Sequence, residues 1–169
     1  MEIIDYIKKK MITEEDKKFI ERAIALSEEG MNNGAGGPFG AIVVKDGKII
    51  AEGYNQVTSA NDPTAHAEVV AIREACKKLD SFQLEDCIIY TSCEPCPMCL
   101  GAIYWARPKA VYYGCTKEDA AEIGFDDQFI YDEIDSGIGN RSIRFINLGR
   151  EAGKEVFEKW KVKEGRIDY

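Results

Sequence analysis

The stretch CIIYTSCEPCPMCLGAIYWARPKAVYYG, residues 87–114, contains a strand, a helix and a second strand in one span. CIIYTS (87–92) has the β-branched and aromatic content of a short buried strand. CPMCLGAIYWAR (96–107) reads as a helix that stops near Pro108, because proline cannot continue it. KAVYYG (109–114) is again a strand. A helical crossover between two strands favours parallel pairing, so this segment argues for an α/β arrangement.

Upstream, FGAIVVKDGKIIAEGYN (39–55) places Asp46-Gly47 between two β-rich runs, a strong hairpin signal. Thr13 reads as an N-cap followed by acidic Glu14, Glu15 and Asp16 in the first turn of a helix. Phe19, Ile20, Ala23, Ile24 and Leu26 continue that helix at helical spacing until Gly30 and Asn32-Asn33-Gly34. A second helix fits roughly 65–79, RSIRFINLG (141–149) reads as a short strand, and 150–163 reads as a C-terminal helix. Residues 1–12 look like a short N-terminal extension. The expected architecture is one domain over 1–169, a three-layer α/β/α sandwich with a mixed central sheet. In such sheets sites form where strands hand the chain to helix N-termini.

Composition narrows the function classes. The 169 residues include 22 basic and 30 acidic side chains, a net charge of −8, which argues against a nucleic-acid partner. No apolar run approaches the ~20 residues of a membrane span, and the start MEIIDYIKKKMITEEDKKF has no secretory pattern. The expected location is therefore cytoplasmic, where six cysteines serve as core thiols or ligands rather than disulfides.

Cys93, Cys96 and Cys99 recur every third residue, and the chain has one histidine, His66, in Pro-Thr-Ala-His-Ala-Glu. Either cysteine pair satisfies a C-x-x-C spacing. Cys96 and Cys99 follow Pro95 and share one turn of the expected helix, so they are read as ligands and Cys93 as a small buried thiol. With His66 they make three ligands, leaving the fourth tetrahedral position of a catalytic zinc for water. Glu68, two residues after His66, supplies a carboxylate that stays off the metal and can move a proton. The spacing HxE followed by PCxxC is the signature of zinc nucleobase deaminases. An iron–sulfur run lacks a suitably spaced fourth cysteine, and a redox pair leaves His66 and Glu68 unexplained. The helix start at Cys96 is expected to help stabilise a tetrahedral intermediate through its first-turn amides.

These stretches, with NDPTAHAEV (61–69) and DAAEIGFDDQFIYDEI (119–134), resemble the cytidine deaminase superfamily and more closely its bacterial guanine deaminases. The resemblance spans about residues 17–135 and the last residue, with 136–168 matching poorly. It implies a cytidine deaminase-like fold and hydrolysis of guanine to xanthine and ammonia, with zinc-bound hydroxide attacking C2. It further implies that His66, Cys96 and Cys99 hold one zinc and that Glu68 shuttles protons. Asn55 would bond the purine, Phe39 would stack on it, and Asp127 would read the guanine edge and assist proton transfer. Tyr169 would close the pocket, with the segment 136–169 exchanged onto the partner in a domain-swapped homodimer. Plainer roles are a core Phe39, a turn-forming Asn55, a solvated Asp126-Asp127 pair, a frayed Tyr169 and a locally packed Phe125. Rival readings are a tRNA adenosine deaminase, a guanosine deaminase, and a structural zinc module with four ligands and a dispensable Glu68.

Overall fold

The computed structural model describes residues 12–169, so the extension expected at residues 1–12 lies almost wholly outside the described residues. The chain divides into a first unit running to Asp127 and a second, Gln128–Tyr169.

In the first unit, helix α1 (Glu14–Asn32) opens on a capping box: Asp16 N–H donates to Thr13 Oγ1 at 3.1 Å and Thr13 N–H donates to Asp16 Oδ2 at 2.7 Å. Strands β1 (Gly40–Lys45) and β2 (Lys48–Tyr54) form the expected hairpin. Its turn residues Asp46 and Gly47 take φ of 50° and 70°, the left-handed pair that a tight hairpin needs. A short helix α2 (Val57–Ala60) leads to α3 (Ala67–Leu79), β3 (Cys87–Cys93), α4 (Pro97–Ala106), β4 (Ala110–Cys115) and α5 (Lys117–Glu122).

The sheet order is β2-β1-β3-β4. β1 runs antiparallel to β2 and β3, while β3 and β4 are parallel, so the sheet is mixed. β1 is apolar on both faces because both are covered. Ile42 and Val44 pack with Ala23 and Leu26 of α1 on one side, and Ala41 and Val43 meet α3 and α4 on the other. Ala67, Ala71 and Ala75 recur every fourth residue, a strip of small side chains that lets α3 lie close to the sheet. The α/β/α sandwich is thus present in full.

Polar links join the layers. Tyr90, 1% exposed, donates its hydroxyl to Asp16 Oδ1 at 2.5 Å, tying the α1 cap to β3. Arg22 of α1 spans Glu29 and Glu52 at 2.6 and 2.8 Å.

The second unit contains α6 (Gln128–Asp135) and α7 (Arg150–Lys161), and none of its residues is buried. The strand expected at 141–149 does not form, and the segment is irregular. Its Ser142 N–H is held by the Glu133 carboxylate at 2.9 Å instead of by a neighbouring strand. A strand without a partner has no ladder to stabilise it. Among the described residues no helix is long and apolar enough to cross a membrane.

Candidate functional site

Two helices of the first unit begin side by side on the same face of the sheet, and each begins with a candidate ligand. His66 is the N-cap residue of α3 and Cys96 that of α4, and neither side chain is used for capping. Local sequence prepares both positions. Pro97 occupies the first turn of α4, where its missing N–H does no harm and its ring holds the preceding Cys96 extended, at ψ 167°. Before α3, Thr64 N–H donates to Asp62 Oδ1 at 2.8 Å and Ala65 N–H to Asp62 O at 3.1 Å, a turn that delivers His66.

The ligand atoms of His66, Cys96 and Cys99 all lie within 4.8 Å of one another. His66 Nδ1 is 3.5 Å from each sulfur. For a tetrahedral zinc with bonds of about 2.05 Å to nitrogen and about 2.3 Å to sulfur, the N–S edge is about 3.6 Å. The three side chains therefore fit zinc as they stand. Among the described residues no fourth His, Cys, Asp or Glu joins the set, which is the pattern of a hydrolytic site rather than a closed structural one. Cys93 stays apart: it is 6% exposed, its Sγ donates to Thr116 O at 3.4 Å, and burial pushes its thiol up to about 12.

The two ligand sulfurs differ electrostatically. The Cys99 thiol, with the His66 ring and the Cys99 backbone N–H, holds Cys96 down to about 4 against the effect of burial, while sharing with Cys96 and burial push Cys99 far up. His66 is raised in turn by its bond to Cys96.

Glu68 sits in the first turn of α3, 6% exposed, and burial raises its carboxyl above the ordinary range. Its Oε1 accepts from Thr91 Oγ1 at 3.3 Å, and its Oε2 accepts from Cys99 Sγ at 3.5 Å.

Asn55, 4% exposed, follows β2. Its Oδ1 accepts from Gly37 N–H at 3.3 Å and Val57 N–H at 3.1 Å. That pairing settles which way the amide faces and leaves the two Nδ2 hydrogens directed away from the backbone. Phe39 is half-buried, and the Phe125 ring meets it edge-on at 4.9 Å and 88°. Gly37 makes room for this contact, since a Cβ there would lie 2.8 Å from Phe125 Cζ. Phe125 belongs to the segment that presents Asp127. Burial, followed by the charge on Cys96, raises the Asp127 carboxyl. Tyr169 ends the second unit, 70% exposed.

The first unit thus brings together His66, Cys96, Cys99 and Glu68. Thr91 and the Phe39–Phe125 contact were not legible beforehand. A threonine in a strand and a phenylalanine after a glycine look like ordinary structural residues until their neighbours are known.

Known proteins can be set beside this geometry. The family model for the cytidine and deoxycytidylate deaminase zinc-binding region matches residues 13–115. The guanine deaminase of Bacillus subtilis (strain 168) is 60% identical over 151 residues, covering 89% of this chain and 97% of that one. A crystal structure of guanine deaminase from Bacillus subtilis matches with a TM-score of 0.89 at 57% identity, covering 94% of this chain and 99% of that chain. A tRNA-specific adenosine deaminase of Haemophilus influenzae is 34% identical over 137 residues, covering 76% of this chain and 79% of that one.

Proposed function

The chain belongs to the cytidine and deoxycytidylate deaminase zinc-binding family, and from that premise we propose that it hydrolyses guanine to xanthine and ammonia using one zinc ion per subunit. The observation that carries the reading is the convergence of His66, Cys96 and Cys99 beside the buried carboxylate of Glu68, which is not one of the three. The similarity to guanine deaminases over nearly the whole chain selects the base.

His66 Nδ1 and the sulfurs of Cys96 and Cys99 would hold the ion. Zinc bound in this way lowers the pKa of its water to about 7, which makes the water a nucleophile at neutral pH. Glu68 takes the water's proton at a carboxylate oxygen and delivers it toward the purine amine, so that nitrogen leaves as neutral ammonia. Burial raises its carboxyl above the ordinary range, which favours its holding a proton in transit. Asn55 offers Nδ2–H donors to a ring acceptor, and Phe39 offers a face for stacking. Asp127 offers an acceptor for the N1–H and amine hydrogens that guanine presents, and assists proton transfer there. Adenine and cytosine lack the N1–H.

The reading extends to a homodimer in which the C-terminal segment packs on a partner subunit and Tyr169 closes the pocket. Its support is that Val156, Phe157 and Trp160 of α7 lie exposed at helical spacing. The same reading places the protein in the cytoplasm, where six unpaired cysteines stay reduced. The tRNA adenosine deaminase alternative is not favoured, given its lower identity and this chain's net charge of −8.

The test is ammonia release from guanine, guanosine, cytosine and tRNA, run alongside metal analysis. Guanine should be the substrate turned over; ammonia from guanosine or tRNA but not from guanine would overturn the reading. Glu68→Gln should keep its zinc and lose on the order of 10³-fold in kcat. If Asp127→Ala, or removal of Tyr169, left kcat/KM for guanine unchanged, that residue's role would fall.

A further inference from the structure

Thr91 occupies a position where the sheet itself does not require a hydroxyl. On the β3 face that meets α3 and α4, the residue two positions back is Ile89, wholly buried in the apolar core. Valine would fill the space of Thr91 with the same branched shape and strand preference. Thr91 is 1% exposed, and a hydroxyl shut away from water is unfavourable unless it is hydrogen-bonded. Its partner is the Glu68 carboxylate, through Oε1 at 3.3 Å.

That bond makes the two oxygens of Glu68 unequal. Oε1 is held from the sheet, and Oε2 faces Cys99 Sγ at 3.5 Å. The hydroxyl has a fixed base. Thr91 pairs with Ala41 across β1, and the next side chain, Ser92, accepts from Gly40 N–H at 3.0 Å. Two strands therefore set where the Thr91 donor points.

We propose that Thr91 is the positioning residue for Glu68: its hydroxyl holds Oε1 so that Oε2 is the oxygen that carries protons between the attacking water and the purine. The inference rests on the reading of Glu68 as proton carrier given above. Without the donor, the Glu68 side chain is free to turn about its terminal torsions. Thr91 acts through Glu68, so the loss falls on turnover rather than on substrate binding.

The experiment compares Thr91→Val with Thr91→Ser in guanine turnover, bound zinc and thermal midpoint. Thr91→Val should lower kcat about tenfold, the equivalent of one lost hydrogen bond. KM should stay within about twofold, with one zinc per subunit retained. Thr91→Ser keeps the donor and should stay within about threefold of the parent kcat. In a Glu68→Gln background, Thr91→Val should have no further effect, since the carboxylate it positions is gone. Wild-type kcat in Thr91→Val, equal slowing in Thr91→Ser, or a KM that rises with zinc loss would each overturn the inference. If Thr91→Val fails to fold, Thr91→Ala takes its place in the comparison with serine. A Glu68→Gln protein that still turns over refutes the proton-carrier reading itself. An inactive Glu68→Gln beside an unimpaired Thr91→Val overturns only the role of Thr91.

Discussion

Replacing Gly36 with alanine drives a methyl group into Asn55. A Cβ at Gly36 would meet Asn55 Oδ1 at 2.1 Å and the Asn55 backbone O at 2.8 Å. The first separation is far inside van der Waals contact, and the second involves main chain that cannot rotate aside. The carboxamide has to leave its place, which frees the N–H groups of Gly37 and Val57 that it now accepts from. Two such bonds contribute about 1 kcal/mol each, and overpacking adds about 1–3 kcal/mol of strain. The sum, roughly 3–5 kcal/mol, lowers the thermal midpoint of a chain this size by on the order of 10 °C. On the proposed contact of Asn55 with the purine, displacing its Nδ2–H donors should also reduce kcat/KM for guanine by about tenfold. Zinc should stay at one per subunit, because the ligands sit on α3 and α4. Calorimetry, steady-state ammonia release and metal analysis read the three effects separately. A Gly36→Ala protein with the parent midpoint and parent kcat/KM would refute the argument, and Asn55→Ala should reproduce the kinetic loss.

Metal removal has a simple signature: chelated protein should regain activity on adding zinc, whereas Cys99→Ser should neither hold zinc nor recover, measured by metal analysis and turnover. Asp16→Ala removes the capping box and strands the buried Tyr90 hydroxyl, a loss of roughly 2–3 kcal/mol by chemical denaturation. That loss should shrink in a Tyr90→Phe background, where no hydroxyl is left unpaired. Asp16 also carries a pH dependence. Burial opposes its charge, but the bonds from Tyr90 and Thr13 outweigh it and hold its pKa below the ordinary 3.8. Its stabilisation is therefore complete above that unfolded value and is lost as pH falls through the lower folded one. Between pH 5 and pH 2 the stability of Asp16→Asn should fall less steeply than that of the parent.

The legible parts of the sequence were those in which local signals and long-range packing agree. Thr13 caps α1 because its own turn satisfies it, and β1 is apolar on both faces because helices cover both. His66, Cys96 and Cys99 were legible because each sits at a helix start whose backbone is preset by nearby Asp62, Pro95 or Pro97. Residues 141–149 were misread because alternating Ile143 and Phe145 carry strand propensity, whereas a strand also needs a neighbour, and here the Ser142 amide is taken by Glu133. Phe125 was read as local packing, yet its ring rests on Phe39, a contact between distant parts of the chain that no short-range pattern records.

The Asn55 carboxamide is fixed in polarity by its main-chain partners. A carboxamide free at both ends can flip and satisfy either polarity, so it identifies nothing. With its oxygen occupied by two main-chain N–H groups, this one can only give hydrogen bonds. In the proposed contact with guanine, the ring atom placed against it must then carry a lone pair, and a purine alkylated or protonated at that atom would be turned away even if its outline fitted.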